Sequence, residues 1–415
     1  MKIEDFKNKK ITIFGLGSLG GGVGAARFFA KAGAKVTVTD IKNQDELRES
    51  VEKIKGLGIN FVLGGHHKED FINTDLIIKG PGVPNNSPYL EIARNHNIQI
   101  DTDGGIFFEL CKNPIIGITG SKGKSTTASM IFYVLKARFK NTLLGGNIGI
   151  SVLGLLEKIK KNSIVVLELS SWQLEGLLAH KKSPHIAIIT NVFPEHLNRY
   201  KSFNDYIEAK KLIFRFQKKN DYLILNENLK KYSFLPKSKV VYYDGEPKEA
   251  ARIVAELYGI KSQDMQRTIK NFKALPGRLE FLKEIDGVMF FNDTCATHPE
   301  ATIYSIKKIK KEYPKSNIIL ISGGQDKNLD FSRFNKIIPH KVKYLILLPG
   351  NIKEKIKDKI SFIQVNNMKE AVERAREIAE KGDLVLLSPA AASFNLFKNE
   401  FDRGDKFKEA VNGLK

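Results

Sequence analysis

Short apolar runs alternate with amphipathic stretches along all 415 residues. The runs are "KKITIFGLG", "KVTVTD" and "DLIIKGPGVP" in the first part of the chain. In the middle they are "IIGITG", "SIVVLELS", "IAIITNV" and "YLILN", and near the end "VMFFNDT", "NIILISGG", "KYLILLPG" and "DLVLLSPA". Each is short enough for a strand and apolar enough to be buried on both faces, as strands of parallel sheets are. Helical periodicity between them predicts helices over 124–138, 203–219, 247–258 and about 262–273. Strand–helix alternation of this kind predicts an α/β fold with doubly wound parallel sheets. Three blocks follow from the motif content, 1–112, 113–274 and 275–415, with "CKNP" as the first linker. No repeat of about 20–50 residues is visible.

Composition supports a folded chain: 42% apolar and 27% charged residues exclude disorder over most of the length. The net charge of +21 raises the question of a nucleic-acid partner. Its distribution answers against one, because the lysines are spread through amphipathic segments such as 156–162 and 303–315. They read as solvated helix faces, with at most a mild attraction for polyanionic substrates. Two distant cysteines, Cys111 and Cys295, imply no disulfide framework and point to a reducing, cytoplasmic setting. The N-terminus has no apolar leader, and no run reaches the ~18 apolar residues of a membrane span, so no membrane partner is expected.

Two glycine-rich turns carry the chemistry. In the first, Gly15, Gly17 and Gly20 follow a strand and open a helix, and Asp40 ends the next strand. That is a dinucleotide fingerprint: glycines let the backbone approach a pyrophosphate at a helix N-terminus. On these residues alone an NAD-dependent oxidoreductase stays open. In the second, "GITGSKGKSTT" sets Gly120, Ser121, Lys122, Gly123, Lys124, Ser125 and Thr126 between strand and helix. Backbone amides there would cradle phosphates, Lys124 would neutralise them, and Ser125 would ligate Mg²⁺. Ile118 stands where a standard Walker A has glycine. Glu168 ends one later strand and His196 follows another, and with Ser125 they would form a Mg²⁺ shell of hard oxygen ligands and one imidazole. In the last block Asp293, Lys327 and Ser393 lie just after strands, each equally compatible with simple turn chemistry.

In this order, the pieces resemble the Mur ligase family over nearly the whole chain. The segments that carry the resemblance are 120–127, "GGNIG", "ELSSWQLE", "NVFPEHLNRY", "YIEAKKLIF", "NDTCAT", "GGQDK" and "LLSPAAASFNLFKNEFDRGDKF". The last of these favours the branch that adds D-glutamate. The resemblance implies a Rossmann-like N-terminal domain for a uridine nucleotide, a central P-loop ATPase domain and a Rossmann-like C-terminal domain for the amino acid and closure. It implies a monomeric, cytoplasmic, ATP-dependent amide ligase of peptidoglycan precursor synthesis. Its substrates would be UDP-N-acetylmuramoyl-L-alanine, D-glutamate and ATP; a family member with a different amino acid remains the alternative.

By the same resemblance Gly15, Gly17, Ser18, Leu19, Asp40 and Gly82 would meet the uridine nucleotide, and Asn147, Ser171 and Gln173 the muramyl-alanyl end. Ser125 and Glu168 would hold one Mg²⁺. His196 and a carbamylated Lys210 would hold a second, with Lys211 as the fallback. Arg278 and Asp293 would meet ATP, and Thr297, Lys327, Ser393 and Phe401 D-glutamate. The chain departs from the family pattern at Cys295, where lysine is common, and at Lys122, Gly105, Trp172, Glu195 and Gly277. It also lacks a strand-rich stretch of the central domain that bears a His-Asn-x-x-Asn motif near adenine.

Overall fold

The computed structural model of the protein describes residues 1–17, 20–195, 199–326, 328–356, 361–393 and 396–414. It forms two compact units: Met1–Val192 with Ser202–Phe272, and Phe193–Lys201 with Lys273–Lys415.

The first unit contains two sheets. One is built from β1 (Lys10–Phe14), β2 (Lys35–Asp40), β3 (Asn60–Leu63), β4 (Leu76–Lys79) and β5 (Gln99–Asp101), in the order β3-β2-β1-β4-β5. The other is built from β6 (Ile115–Thr119), β7 (Thr142–Gly146), β8 (Ile164–Glu168), β9 (Ile186–Ile189), β10 (Tyr222–Asn226) and β11 (Lys239–Tyr243), in the order β11-β10-β9-β6-β8-β7. All pairs in both sheets are parallel. β6 and β8 are buried along their full length, which is why they read as unbroken apolar runs. Ile116 and Ile118 of β6 pack with Ala128, Ile131 and Leu135 of the helix Lys124–Arg138, and with Ala251 and Val254 of the helix Pro247–Leu257. Between the two sheets the ring of His180 sits between carboxylates, 2.9 Å from Asp101 Oδ1 and 3.2 Å from Glu109 Oε1. Burial pushes the Asp101 carboxyl above the usual carboxylate range, and the bond to His180 works against that push.

The helix predicted over 203–219 stops at Lys211 (Phe203–Lys211). Beyond it Ile213, Phe214 and Gln217 donate their N–H groups to carbonyls three residues back, the tighter turn that closes a helix. The Ser183 hydroxyl accepts the Phe216 N–H at 3.1 Å. That bond holds the chain where it has already left the helix. The helix predicted near 262–273 covers Ser262–Lys270.

The second unit contains β12 (Glu280–Ile285), β13 (Val288–Asn292), β14 (Ile318–Gly323), β15 (Tyr344–Leu348), β16 (Phe362–Gln364) and β17 (Leu384–Leu387), in the order β12-β13-β17-β14-β15-β16. The pair β12–β13 is antiparallel and the rest are parallel. Leu320, Leu345 and Leu386 belong to one apolar layer and Ile321, Ile346 and Val385 to another, so the sheet is covered on both faces. None of the described helices is long and apolar enough to cross a membrane.

Candidate active site

The second glycine-rich turn leaves the end of β6 and enters the helix Lys124–Arg138. Gly120 has φ +149°, and a Cβ there would fall 1.9 Å from Thr190 Oγ1, so only glycine fits. Thr190 and Asn191, at the end of β9, hold the turn. Asn191 accepts the Ser121 N–H with its carbonyl (2.9 Å) and the Lys122 N–H with its amide oxygen (2.8 Å). Asn191 Nδ2 and Thr190 Oγ1 both donate to the Lys122 carbonyl, at 2.8 and 2.7 Å. Lys124 Nζ lies across the turn and donates to the Ser121 carbonyl at 2.9 Å. Gly123 is the left-handed N-cap, and Thr126 lies half-buried in the first helical turn.

Beside this turn Ser125 Oγ donates to Glu168 Oε2 at 2.5 Å, and Asn147 Nδ2 donates to Glu168 Oε1 at 3.0 Å. Glu168 is 2% exposed. It arrives there because β8 pairs with both β6 and β7, in register with Ile118 and Gly146. Lys210 is 1% exposed; its Nζ donates to the Gly120 carbonyl at 2.9 Å and stands 4.4 Å from the Tyr206 ring centre. Lys211 turns instead to Glu208, at 2.7 Å. Thus Ser125, Glu168, Asn147, Lys124 and Lys210 converge on one turn. Ser171 is buried at the start of the short helix Ser171–Glu175, and the Gln173 side chain there closes a capping box with Ser170.

The first glycine-rich turn lies at the end of β1, where the order of the first sheet reverses between β1 and β4. Open α/β sheets bind ligands at such points. Asp40 reaches into the turn: its Oδ2 accepts the Gly17 N–H at 2.9 Å and its Oδ1 the Lys42 N–H at 3.0 Å. Gly17 has φ +60° and open space where a Cβ would be. Ser50 Oγ donates to the Gly17 carbonyl at 2.9 Å. Gly82 is exposed in the turn after β4, which Lys79 Nζ ties down by donating to the Val83 carbonyl at 3.2 Å.

In the second unit the turn 323–326 pairs with the segment that follows β17 through Gln325 and Ala392, which puts Ser393 beside it, 4% exposed. Thr297 and Arg278 are half-buried, and Phe401 is 49% exposed at the start of the helix Glu400–Asn412. Asp293 is turned into the fold. Ser305 Oγ and Ser388 Oγ donate to its Oδ2 at 2.5 and 3.0 Å, and the Leu279 N–H donates to its Oδ1 at 3.2 Å. His298 Nδ1 caps the helix Pro299–Glu312 by accepting the Ala301 N–H, and its Nε2 lies 3.4 Å from Glu195 Oε1. Ser18, Leu19, His196 and Lys327 lie outside the described residues.

Family models match in series along the chain: the MurD-like N-terminal domain of Mur ligases over residues 9–101, the Mur ligase middle domain over 118–280 and the Mur ligase glutamate ligase domain over 277–391. A UDP-N-acetylmuramoylalanine–D-glutamate ligase of Borreliella afzelii is 39% identical, with 100% of each chain covered. The chain belongs to the Mur ligase family.

The enzyme of that name in Roseiflexus sp. is 36% identical, over 98% of this chain and 99% of its own. Among solved structures, the MurC ligase of Thermotoga maritima has a TM-score of 0.61 at 18% identity, covering 98% of this chain and 100% of its own. The MurF ligase of the same organism, in complex with ADP, has a TM-score of 0.62 at 16% identity, covering 91% and 95%. At those identities the likeness concerns the fold, and it is the three-sheet α/β architecture expected from the sequence. The alignment with the Borreliella afzelii relative runs over 459 positions, against 415 residues in this chain. That relative carries stretches this Mur ligase lacks. Family membership makes this chain a ligase that uses ATP.

Three further residues shape these turns, each within its own unit. Thr190 and Asn191 follow the apolar run "IAII" as a polar pair, and their partners lie about 70 positions away. Arg403 is fully buried, donating to Thr294 Oγ1 (3.0 Å), the Thr294 carbonyl (2.8 Å) and the Ala391 carbonyl (3.1 Å). It knits together the turns after β13 and β17. Burial brings its pKa down to about 10.

Proposed function

We propose that this Mur ligase joins D-glutamate to UDP-N-acetylmuramoyl-L-alanine at the expense of ATP, as a cytoplasmic monomer. The observation that carries the chemistry is the Ser125–Glu168 pair beside a lysine-bearing phosphate turn. The full-length likeness to D-glutamate ligases supports the substrate pair. In this reading 1–112 receives the uridine nucleotide, 113–274 receives ATP and 275–415 receives the amino acid.

The L-alanyl carboxylate attacks the γ-phosphorus of ATP, and ADP leaves. The amine of D-glutamate then attacks the acyl phosphate carbonyl, and inorganic phosphate leaves as the amide forms. The chain supplies position and charge neutralisation more than covalent help. The turn 120–126 seats the phosphates on its amides, and Lys124 swings from the Ser121 carbonyl to the transferring group. Ser125 and Glu168 offer the hard oxygen donors that Mg²⁺ prefers. Bound Mg²⁺ would neutralise phosphate charge. His196 and Lys210 would hold a second ion once Lys210 carries a carbamate, which turns a cation into an anionic oxygen ligand. The contact of Lys210 with the Gly120 carbonyl supports it over Lys211.

Gly15, Gly17, Ser18, Leu19, Asp40 and Gly82 would receive the uridine nucleotide, and Asn147, Ser171 and Gln173 the muramyl-alanyl end. Thr297, Lys327, Ser393 and Phe401 would form the D-glutamate pocket, and Arg278 would meet ATP. For Asp293, the inward-facing carboxylate supports a positioning role for the turn after β13.

The test is phosphate release with UDP-N-acetylmuramoyl-L-alanine and Mg-ATP, adding D-glutamate, L-glutamate, meso-diaminopimelate or L-lysine singly. Release with D-glutamate alone, and a product heavier by one glutamyl residue, is expected. Release with another amino acid would move the specificity, and release with none would overturn the reading.

A further inference from the structure

We propose that the central sheet carries a binding site for a small polyphosphate anion, on the rim opposite the ATP-binding turn. A cavity of about 540 Å³ opens there, lined by five cations: Lys181, Arg215, Lys218, Lys219 and Lys237. They come from three segments. Lys181 precedes β9, 215–219 precede β10 and Lys237 precedes β11. All three strands run parallel to β6, whose far end leads into Gly120. The cavity therefore lies where these strands begin, and the phosphate turn lies where β6 finishes.

The site is built and is not a chance meeting of mobile side chains. Gln217 also lines it and is 2% exposed. Its amide nitrogen donates to the carbonyls of Pro184 (3.0 Å) and Tyr222 (2.9 Å), and its oxygen accepts from Ser238 Oγ (2.7 Å). One buried amide thus locks together the three segments that bear the cations. Ser183 adds a second brace, accepting the Phe216 N–H and donating to the Leu212 carbonyl at 3.4 Å.

The charge is uncompensated. No carboxylate lines the cavity, and among the described residues none of the five cations makes an ion pair. The neighbouring Asp221 is occupied by the Lys218 N–H (2.6 Å) and the His185 ring (2.7 Å). Like charges that line one cavity repel, and an anion among them relieves the repulsion. Five cations from three segments call for more negative charge than a single phosphate carries, which a chain of phosphates supplies. The volume is that of a small-molecule site, and half-buried Phe216 supplies an apolar wall. Part of the +21 charge thereby has a specific place.

The test is calorimetric binding of tripolyphosphate to the full chain at low salt with saturating Mg-ADP. Wild type and Lys124→Ala are expected to bind alike. The exposed pair Lys218→Glu with Lys237→Glu should weaken binding at least tenfold without shifting the melting temperature. The milder pair Lys218→Gln with Lys237→Gln should fall between. No binding by wild type, equal binding by the charge-reversed variant, or loss in Lys124→Ala would each overturn the proposal. So would co-sedimentation with phosphatidylglycerol vesicles in place of tripolyphosphate binding, which would make the rim a membrane-facing surface.

Discussion

The two glycine-rich turns begin alike and end differently. Each leaves a buried parallel strand, passes through glycines with positive φ and starts a helix behind a left-handed glycine N-cap. The difference lies in what neighbouring strands bring. At the first turn β2 brings a carboxylate, and Asp40 takes up the Gly17 N–H. At the second, β9 brings a hydroxyl and an amide that brace the backbone, β8 brings Glu168, and a lysine lies across the turn. A backbone shape that suits phosphate is thus shared, and the side chains around it decide the chemistry. A turn lined by an acid suits recognition of a neutral ring or sugar beside the phosphates. A turn with a lysine and a buried carboxylate suits phosphoryl transfer.

Substitutions can break that contrast. Lys124→Ala should have the largest effect, lowering kcat by about 1,000-fold or more through lost stabilisation of the transferring phosphoryl group. Turnover near wild type would remove the phosphate turn from the chemistry. Lys210→Ala should also be close to inactive yet regain part of its activity with short-chain carboxylic acids, while Lys211→Ala stays near wild type. Rescue of neither, with Lys211→Ala inactive, would shift the role by one residue. Asp40→Asn should raise KM for the uridine substrate about tenfold, the size of one charged hydrogen bond, and leave KM for ATP unchanged. A change in the ATP constant would erase the division between the turns. Asn191→Ala should be the mildest, raising KM for ATP a few-fold through loss of the brace on Lys122, worth about 1 kcal/mol. An unchanged KM for ATP would make the brace dispensable.

The strands and both turns were legible because their signals are local. Burial on both faces gives apolar runs, and turns that need positive φ give glycines. The parts that were not legible are polar partnerships across long separations. Nothing near position 191 announces that its amide will serve position 122, and nothing near Gln217 shows that it will clamp three segments. Asp293 gave a strand-end signal like that of Glu168. Which way each carboxylate faces was set by Ser305 and Ser388 in one case and by Ser125 and Asn147 in the other. No residue beside Arg403 in the sequence signals its burial, which depends on the turns at 294 and 391 meeting around it.

The central claim is that the turn 120–126 transfers a phosphoryl group to a carboxylate before the amide forms. It is tested most directly with UDP-N-acetylmuramoyl-L-alanine labelled with ¹⁸O in the alanyl carboxylate, turned over with Mg-ATP and D-glutamate. Phosphate carrying one ¹⁸O atom, formed in step with the amide, is the result predicted here. Unlabelled phosphate accompanying amide formation would contradict the account, because the carboxylate oxygen would never have been bonded to phosphorus.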